Sequence, residues 1–165
     1  MRVRPATPED AAAIATVHVR TWQATYQKQI PRGYLQQLDI ATRRDEWQER
    51  LRSGPPDTVQ VLEDEAAGVV GFVTAAAGEV QAIYILPAHQ GTGGGRRLMA
   101  AALDRLRAAG DTEATLWVLA TNDRARRFYE AAGWHPDGTT SIEEYGGVPV
   151  EELRYRRPLR SGPAG

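Results

Sequence analysis

The chain predicts a mixed α/β domain, and three observations carry that expectation. Apolar residues recur at helical spacing in the first third and switch to short β-rich runs in the middle. After that, helical and strand-like stretches alternate to the end. A run of glycines stands directly between a strand-like segment and an apolar-patterned helix. Finally, 165 residues that are 42% hydrophobic and 25% charged suit one core, expected over residues 1–160, with 161–165 as a disordered tail.

VRPATPED opens with a short strand and then a helix start: Thr7 at the N-cap position, Pro8 at the first helical position, and the acids Glu9 and Asp10 behind them. Ile14, Val17, Thr21 and Trp22 follow at helical spacing. A second helix is expected around Ala41 to Arg52, with Trp47 and Leu51 four apart, ended by SGPPD. The runs TVQVLE, GVVGFVTAA and EVQAIYIL read as an antiparallel meander. Leu98, Ala102 and Leu106, with Met99 and Leu103 beside them, define the apolar face of the next helix, which Gly110 stops. ATLWVLA reads as a buried strand, NDRARRFYEAAGW as a helix ending at Gly133, and SIEEYGGVPVEELRYRRPL as a hairpin turning at Gly146-Gly147.

Composition removes several functions. Lys plus Arg number 20 against 21 Asp plus Glu, a net charge of −1, so no overall field draws in nucleic acid or an anionic membrane. Without cysteine there is no disulfide, thiolate metal site or cysteine nucleophile. His18, His89 and His135 lack metal-ligand spacing, and Ser53, Ser141 and Ser161 lie in no nucleophile motif. No stretch approaches the ~20 apolar residues of a membrane span, so a soluble cytoplasmic protein that binds no metal is expected.

HQGTGGGRRLM, residues 89–99, places four glycines within five positions ahead of a helix. A P-loop would need Lys-Ser/Thr after Gly95, where Arg96 and Arg97 stand. A dinucleotide fingerprint starting from Gly91 and Gly93 would need glycine at Arg96. What survives is an anion cradle of successive N–H groups at a helix N-terminus, with a pyrophosphate as the natural guest, or else a tight turn without a ligand.

Gln90-Gly91-Thr92-Gly93-Gly94-Gly95, preceded by IYILPAHQ, resembles the acetyl-CoA loop of the GNAT superfamily of N-acetyltransferases, Gln/Arg-x-x-Gly-x-Gly/Ala. A second family signature is similar to Asn122, Phe128, Tyr129, Gly133 and Trp134, with Trp in place of Phe. The opening RPATPED and closing ELRYRRPL also resemble family members, so the likeness spans residues 1 to about 159. It implies a central, mostly antiparallel twisted sheet of about seven strands flanked by about four helices. It also implies an acetyl-CoA-dependent transfer to a primary amine of a small molecule or protein, by direct attack in a ternary complex. A catalytically inactive acetyl-CoA sensor is the alternative, and the resemblance allows a homodimer.

The resemblance further implies that the N–H groups of Gly91, Thr92, Gly93, Gly94, Gly95 and Arg96 cradle the pyrophosphate. The strand Ile83-Tyr84-Ile85 would line the pantetheine arm, with the backbone of Ile83 and Ile85 pairing to it. Asn122 would contact the cofactor or cap the following helix, and Phe128 would lie beside it. Tyr129 would protonate the thiolate or simply fill core. Glu79, eleven residues before Gln90, is the expected base, or else an exposed turn residue; Glu143 and Glu144 are the fallbacks. For the acceptor, the first helices and last hairpin carry Trp22, Tyr26, Tyr34, Trp47 and Tyr145 with Asp39, Glu143 and Glu144, either as a pocket for a cationic amine or as core and ordinary surface.

Overall fold

The computed structural model describes residues 1–159; the expected tail at 161–165 lies outside them. Strands β1 (Arg2–Pro5), β2 (Val59–Asp64), β3 (Gly68–Ala76), β4 (Glu79–Ile85), β5 (Glu113–Leu119), β6 (His135–Tyr145) and β7 (Val148–Pro158) form one sheet in the order β1-β2-β3-β4-β5-β7-β6. Every neighbouring pair is antiparallel except β4–β5. Helices α1 (Ala11–Thr25), α2 (Arg32–Gln36), α3 (Ile40–Ser53), α4 (Gly94–Ala108) and α5 (Asp123–Ala131) cover it. None is long and apolar enough to cross a membrane.

Two apolar clusters divide the helices between the faces. Leu98, Met99, Leu103 and Leu106 of α4 and Tyr129 of α5 pack with Leu62, Val73, Leu116, Trp134 and Tyr155. Ala11, Ile14 and Val17 of α1 and Trp47 of α3 pack with Val61 and Phe72 on the other side. Alternation along the strands therefore decides which helical layer a residue meets. On β4, Ile83 and Ile85 join the α4 cluster, whereas Ala82 and Tyr84 join the α1 cluster.

Three elements depart from expectation. α2 is an additional helix, and its five residues are too short to show a period. A single 3-10 turn, Pro8–Asp10, precedes α1, and the Thr7 N–H donates to the Asp10 carboxylate at 2.8 Å. β6 begins at His135, six residues ahead of SIEEY. Its early part carries Pro136 and a left-handed Gly138 (φ +86°), and the pairing register shifts between Pro136 and Thr140, so no simple alternation marks it.

Candidate active site

The four glycines of the loop answer to two different demands. Gly91 and Gly93 have φ of +77° and +87°, which L side chains rarely adopt, although a Cβ at either would meet nothing within 4 Å. At Gly94 and Gly95 space is limiting instead. A Cβ on Gly94 would lie 2.5 Å from Leu62 Cδ2, and one on Gly95 would lie 3.2 Å from Phe128 Cζ. The first turn of α4 thus sits hard against β2 and α5.

Two side chains pin the loop from within. Thr92 Oγ1 donates to the His89 carbonyl at 2.8 Å and Gln90 Nε2 to the Ile85 carbonyl at 3.0 Å. Among the described residues, the N–H groups of Gly91 through Arg96 donate to no protein acceptor. They stand at the positive end of a 15-residue helix. An anionic diphosphate fits this cradle, and the Arg96 side chain beside it is exposed.

β4 and β5 are joined only at their beginnings, where Glu79 pairs with Thr115 and the Thr115 N–H donates to the Gly78 carbonyl at 2.9 Å. Beyond that pair the two strands part. The Leu86 N–H donates to the Val70 carbonyl on β3, so the backbone groups of Tyr84 and Leu86 turn toward β3, and those of Ile83 and Ile85 turn toward the gap. Tyr84, expected with its neighbours on the pantetheine arm, therefore presents its backbone to β3 and its ring to the α1 face.

Across the gap, Asn122 caps α5: its Oδ1 accepts from the Ala125 N–H at 3.2 Å. Its amide nitrogen has no partner among the described residues. Phe128 packs on Gly95. Tyr129 is buried, and burial, then the neighbouring Tyr84, raises its phenol far above the ordinary tyrosine range, so its proton is firmly held. Trp134, where the signature has Phe, is fully buried and its indole N–H has no partner among the described residues.

The α1 face of the gap carries an aromatic group. Trp22 Nε1 donates to Tyr84 Oη at 3.0 Å, and the Trp22 ring meets Tyr26 at 4.9 Å and Tyr145 at 5.4 Å. Tyr145 also meets Tyr34 at 5.8 Å, while the Gly146 turn of the β6–β7 hairpin rests on Pro31 and Tyr34. Tyr145 Oη donates to Glu152 Oε1 at 3.3 Å.

Of the residues expected here, Trp22, Tyr26, Tyr34 and Tyr145 come together. Trp47 instead packs on Phe72 and donates to His18 Nδ1 at 3.4 Å, and Asp39 caps α3. Glu143 accepts from Ser141 at 3.4 Å on β6, where exposed Glu144 is its neighbour. Glu79 sits half-buried at the closed end of the β4–β5 pair. Glu152 opens the closing segment ELRYRRPL, but nothing local in that segment marks it as a site residue until the hairpin folds over α1.

The sequence profile of the Acetyltransferase (GNAT) family matches residues 18–134. The uncharacterized N-acetyltransferase YuaI of Bacillus subtilis (strain 168) is 36% identical over 161 residues, covering 92% of this chain and 89% of that protein. Among solved structures, the ribosomal-protein-alanine N-acetyltransferase of Brucella melitensis superposes with a TM-score of 0.74 at 21% identity, over 96% of this chain and 100% of that one. The PaiA N-acetyltransferase of Thermoplasma acidophilum, in complex with coenzyme A, gives 0.72 at 18% identity, over 95% and 98%. At those identities the two structures bear on the fold alone.

Proposed function

The chain belongs to the acetyltransferase (GNAT) family, and from that premise we propose that it transfers the acetyl group of acetyl-CoA to a primary amine of a small molecule. The observation that carries this reading is the run of unpaired N–H groups from Gly91 to Arg96 at the head of α4, beside a gap between two parallel strands.

Acetyl-CoA supplies an activated acyl group as a thioester. In our assignment the loop amides hold its pyrophosphate, and the Ile83 and Ile85 backbone groups facing the gap hold its amide-bearing arm. The Ile85 carbonyl already accepts from Gln90, so the Ile85 N–H is the group left to polarise the thioester carbonyl. The Asn122 amide nitrogen adds a donor from the opposite wall. Tyr129 gives its proton to the leaving thiolate. Burial keeps its phenol protonated, so the proton is in place when the thiolate leaves. The amine approaches from the α1 face, where a carboxylate relieves it of its proton. Attack is direct, since the chain has no cysteine to carry an acyl group.

The test is thiol release from acetyl-CoA across a panel of primary amines; free CoA is then the only thiol in the assay. Release is expected with at least one alkylamine, and Tyr129→Phe lowers kcat by ~10²-fold while acetyl-CoA affinity stays within about twofold. Tight acetyl-CoA binding with no thiol released by any amine would replace this reading with that of an acetyl-CoA sensor.

A further inference from the structure

We infer that Glu152 is the carboxylate that holds the acceptor as an alkylammonium ion and takes its proton, within a cage walled by Trp22, Tyr26, Tyr84 and Tyr145. The inference rests on the acetyl-transfer reading and names the group that selects its acceptor.

Strand alternation gives the first argument. Leu153 and Tyr155 of β7 pack with the α4 cluster, so Glu152 and Arg154 project from the opposite face, the face that Tyr84 and Trp22 occupy. Glu152 pairs in register with Leu119 at the far end of β5, where the gap from β4 is open. Glu79 pairs at the end where that gap is closed. Burial raises the phenols of Tyr26, Tyr84 and Tyr145, and the carboxylate lies close enough for its charge to add to the rise in each. Tyr84 in turn acts on Tyr129, the proton donor on the other side of the gap.

Charge complementarity gives the second. Glu152 has no ion-pair partner among the described residues. The nearest cation along its own strand face, Arg154, is engaged elsewhere: it donates to Asp137 at 2.7 Å and Thr139 at 3.1 Å and stands over Trp117 at 6.0 Å. The groups facing Glu152 are Tyr145 and Glu143 from β6, Tyr84 from β4 and Tyr26 after α1. A half-buried carboxylate beside tyrosine side chains, with a second carboxylate nearby and no ion-pair partner among the described residues, is complementary to an ammonium group. Burial raises its pKa, the Tyr145 hydrogen bond lowers it, and the Glu143 charge raises it; the net direction is upward, which makes it a better base.

In the transfer of the proton, one N–H bond of the bound ammonium breaks and one O–H bond forms on Glu152. The ion pair becomes a neutral amine beside a carboxylic acid; its freed lone pair forms the C–N bond at the thioester carbon, the C–S bond breaks as the thiolate takes the Tyr129 proton, and the second proton on nitrogen replaces it on the phenol.

The experiment has two arms. Without acetyl-CoA, n-butylammonium is titrated while the Trp22 indole N–H resonance is followed. Binding is expected in the natural protein and at least ~10-fold weaker in Glu152→Gln. With acetyl-CoA and the best amine of the panel, Glu152→Gln loses ~10²-fold in kcat/KM together with the acid limb of its pH profile, at unchanged acetyl-CoA affinity. The same substitution at Glu79 keeps that limb. Two neighbours separate a chemical role from a structural one: Tyr145→Phe moves the acid limb to higher pH and Glu143→Gln moves it lower. Unaltered n-butylammonium binding in Glu152→Gln, or an acid limb that survives there and disappears in Glu79→Gln, overturns the inference while acetyl transfer stands. If the natural protein fails to bind acetyl-CoA, the transfer reading falls, and the n-butylammonium arm still decides whether Glu152 forms a cation site.

Discussion

The two sides of the candidate site are made of different material. On the proposed cofactor side, the groups assigned to the ligand are backbone N–H and C=O groups of the 91–96 loop and of Ile83 and Ile85, and side chains such as Thr92, Gln90 and Phe128 hold that backbone in shape. On the acceptor side the backbone is committed to α1 and to strand pairing. The groups assigned to the acceptor are the ends of side chains from α1, β4, β6 and β7. A backbone site suits a ligand that never changes and is insensitive to pH. A side-chain site can be rebuilt one residue at a time, and it titrates.

That contrast is sharpened most by acid. Burial, then the charge of Arg43, holds His18 at about 4, below its ordinary value, within the ring cluster of Trp22, Trp47, Phe72 and Tyr84. In the unfolded chain the imidazole titrates near ~6.5. Between these values the unfolded state binds more protons, so the stability is fully present above pH 6.5 and is lost as pH falls toward 4. The loss is about 3 kcal/mol. Urea titrations at pH 7.5 and 4.5 should show His18→Leu losing less stability between the two than the natural protein, by roughly that amount. An equal loss in both proteins would refute the assignment.

On the cofactor side the largest response is steric. Leu62, facing Gly94, is fully buried, so Gly94→Ala forces its Cδ2 to shift within the core and overpacks the first turn of α4 at a cost of about 2 kcal/mol. Calorimetry should find acetyl-CoA bound some ~10-fold or more weakly, with the acceptor side unaltered when probed by n-butylammonium. Asn122→Ala removes a helix cap and about 1 kcal/mol of stability. If the amide nitrogen also serves the cofactor, Asn122→Asp keeps the cap but weakens acetyl-CoA binding. Trp134→Phe should be the mildest, within about 1 kcal/mol, because lost ring volume is offset by removal of a buried, unpaired indole N–H.

Legibility in the sequence followed the same division. The cradle could be found because glycine is the residue that permits left-handed φ and close approach. Four of them ahead of a periodic helix cost the chain conformational entropy that only such backbone demands offset. Gly110, Gly133 and Gly146-Gly147 marked the ends of α4 and α5 and the last hairpin for the same local reason. The early part of β6 was hidden by Pro136 and Gly138, and α2 by its length. Aromatic residues were visible as a pool, yet nothing local distinguished Trp22, which borders the acceptor face, from Trp47, which fills core.

By itself the sequence determined the order of the strands and of the four longer helices, the glycine loop as a candidate anion cradle and the family resemblance, because each depends on residues within a few positions of one another. Tertiary structure decided which carboxylate faces the open gap. Glu79 and Glu152 are both half-buried strand residues, 73 positions apart. They are separated in role only by where β4 and β5 part and by the hairpin that brings Tyr145 and Glu152 over α1.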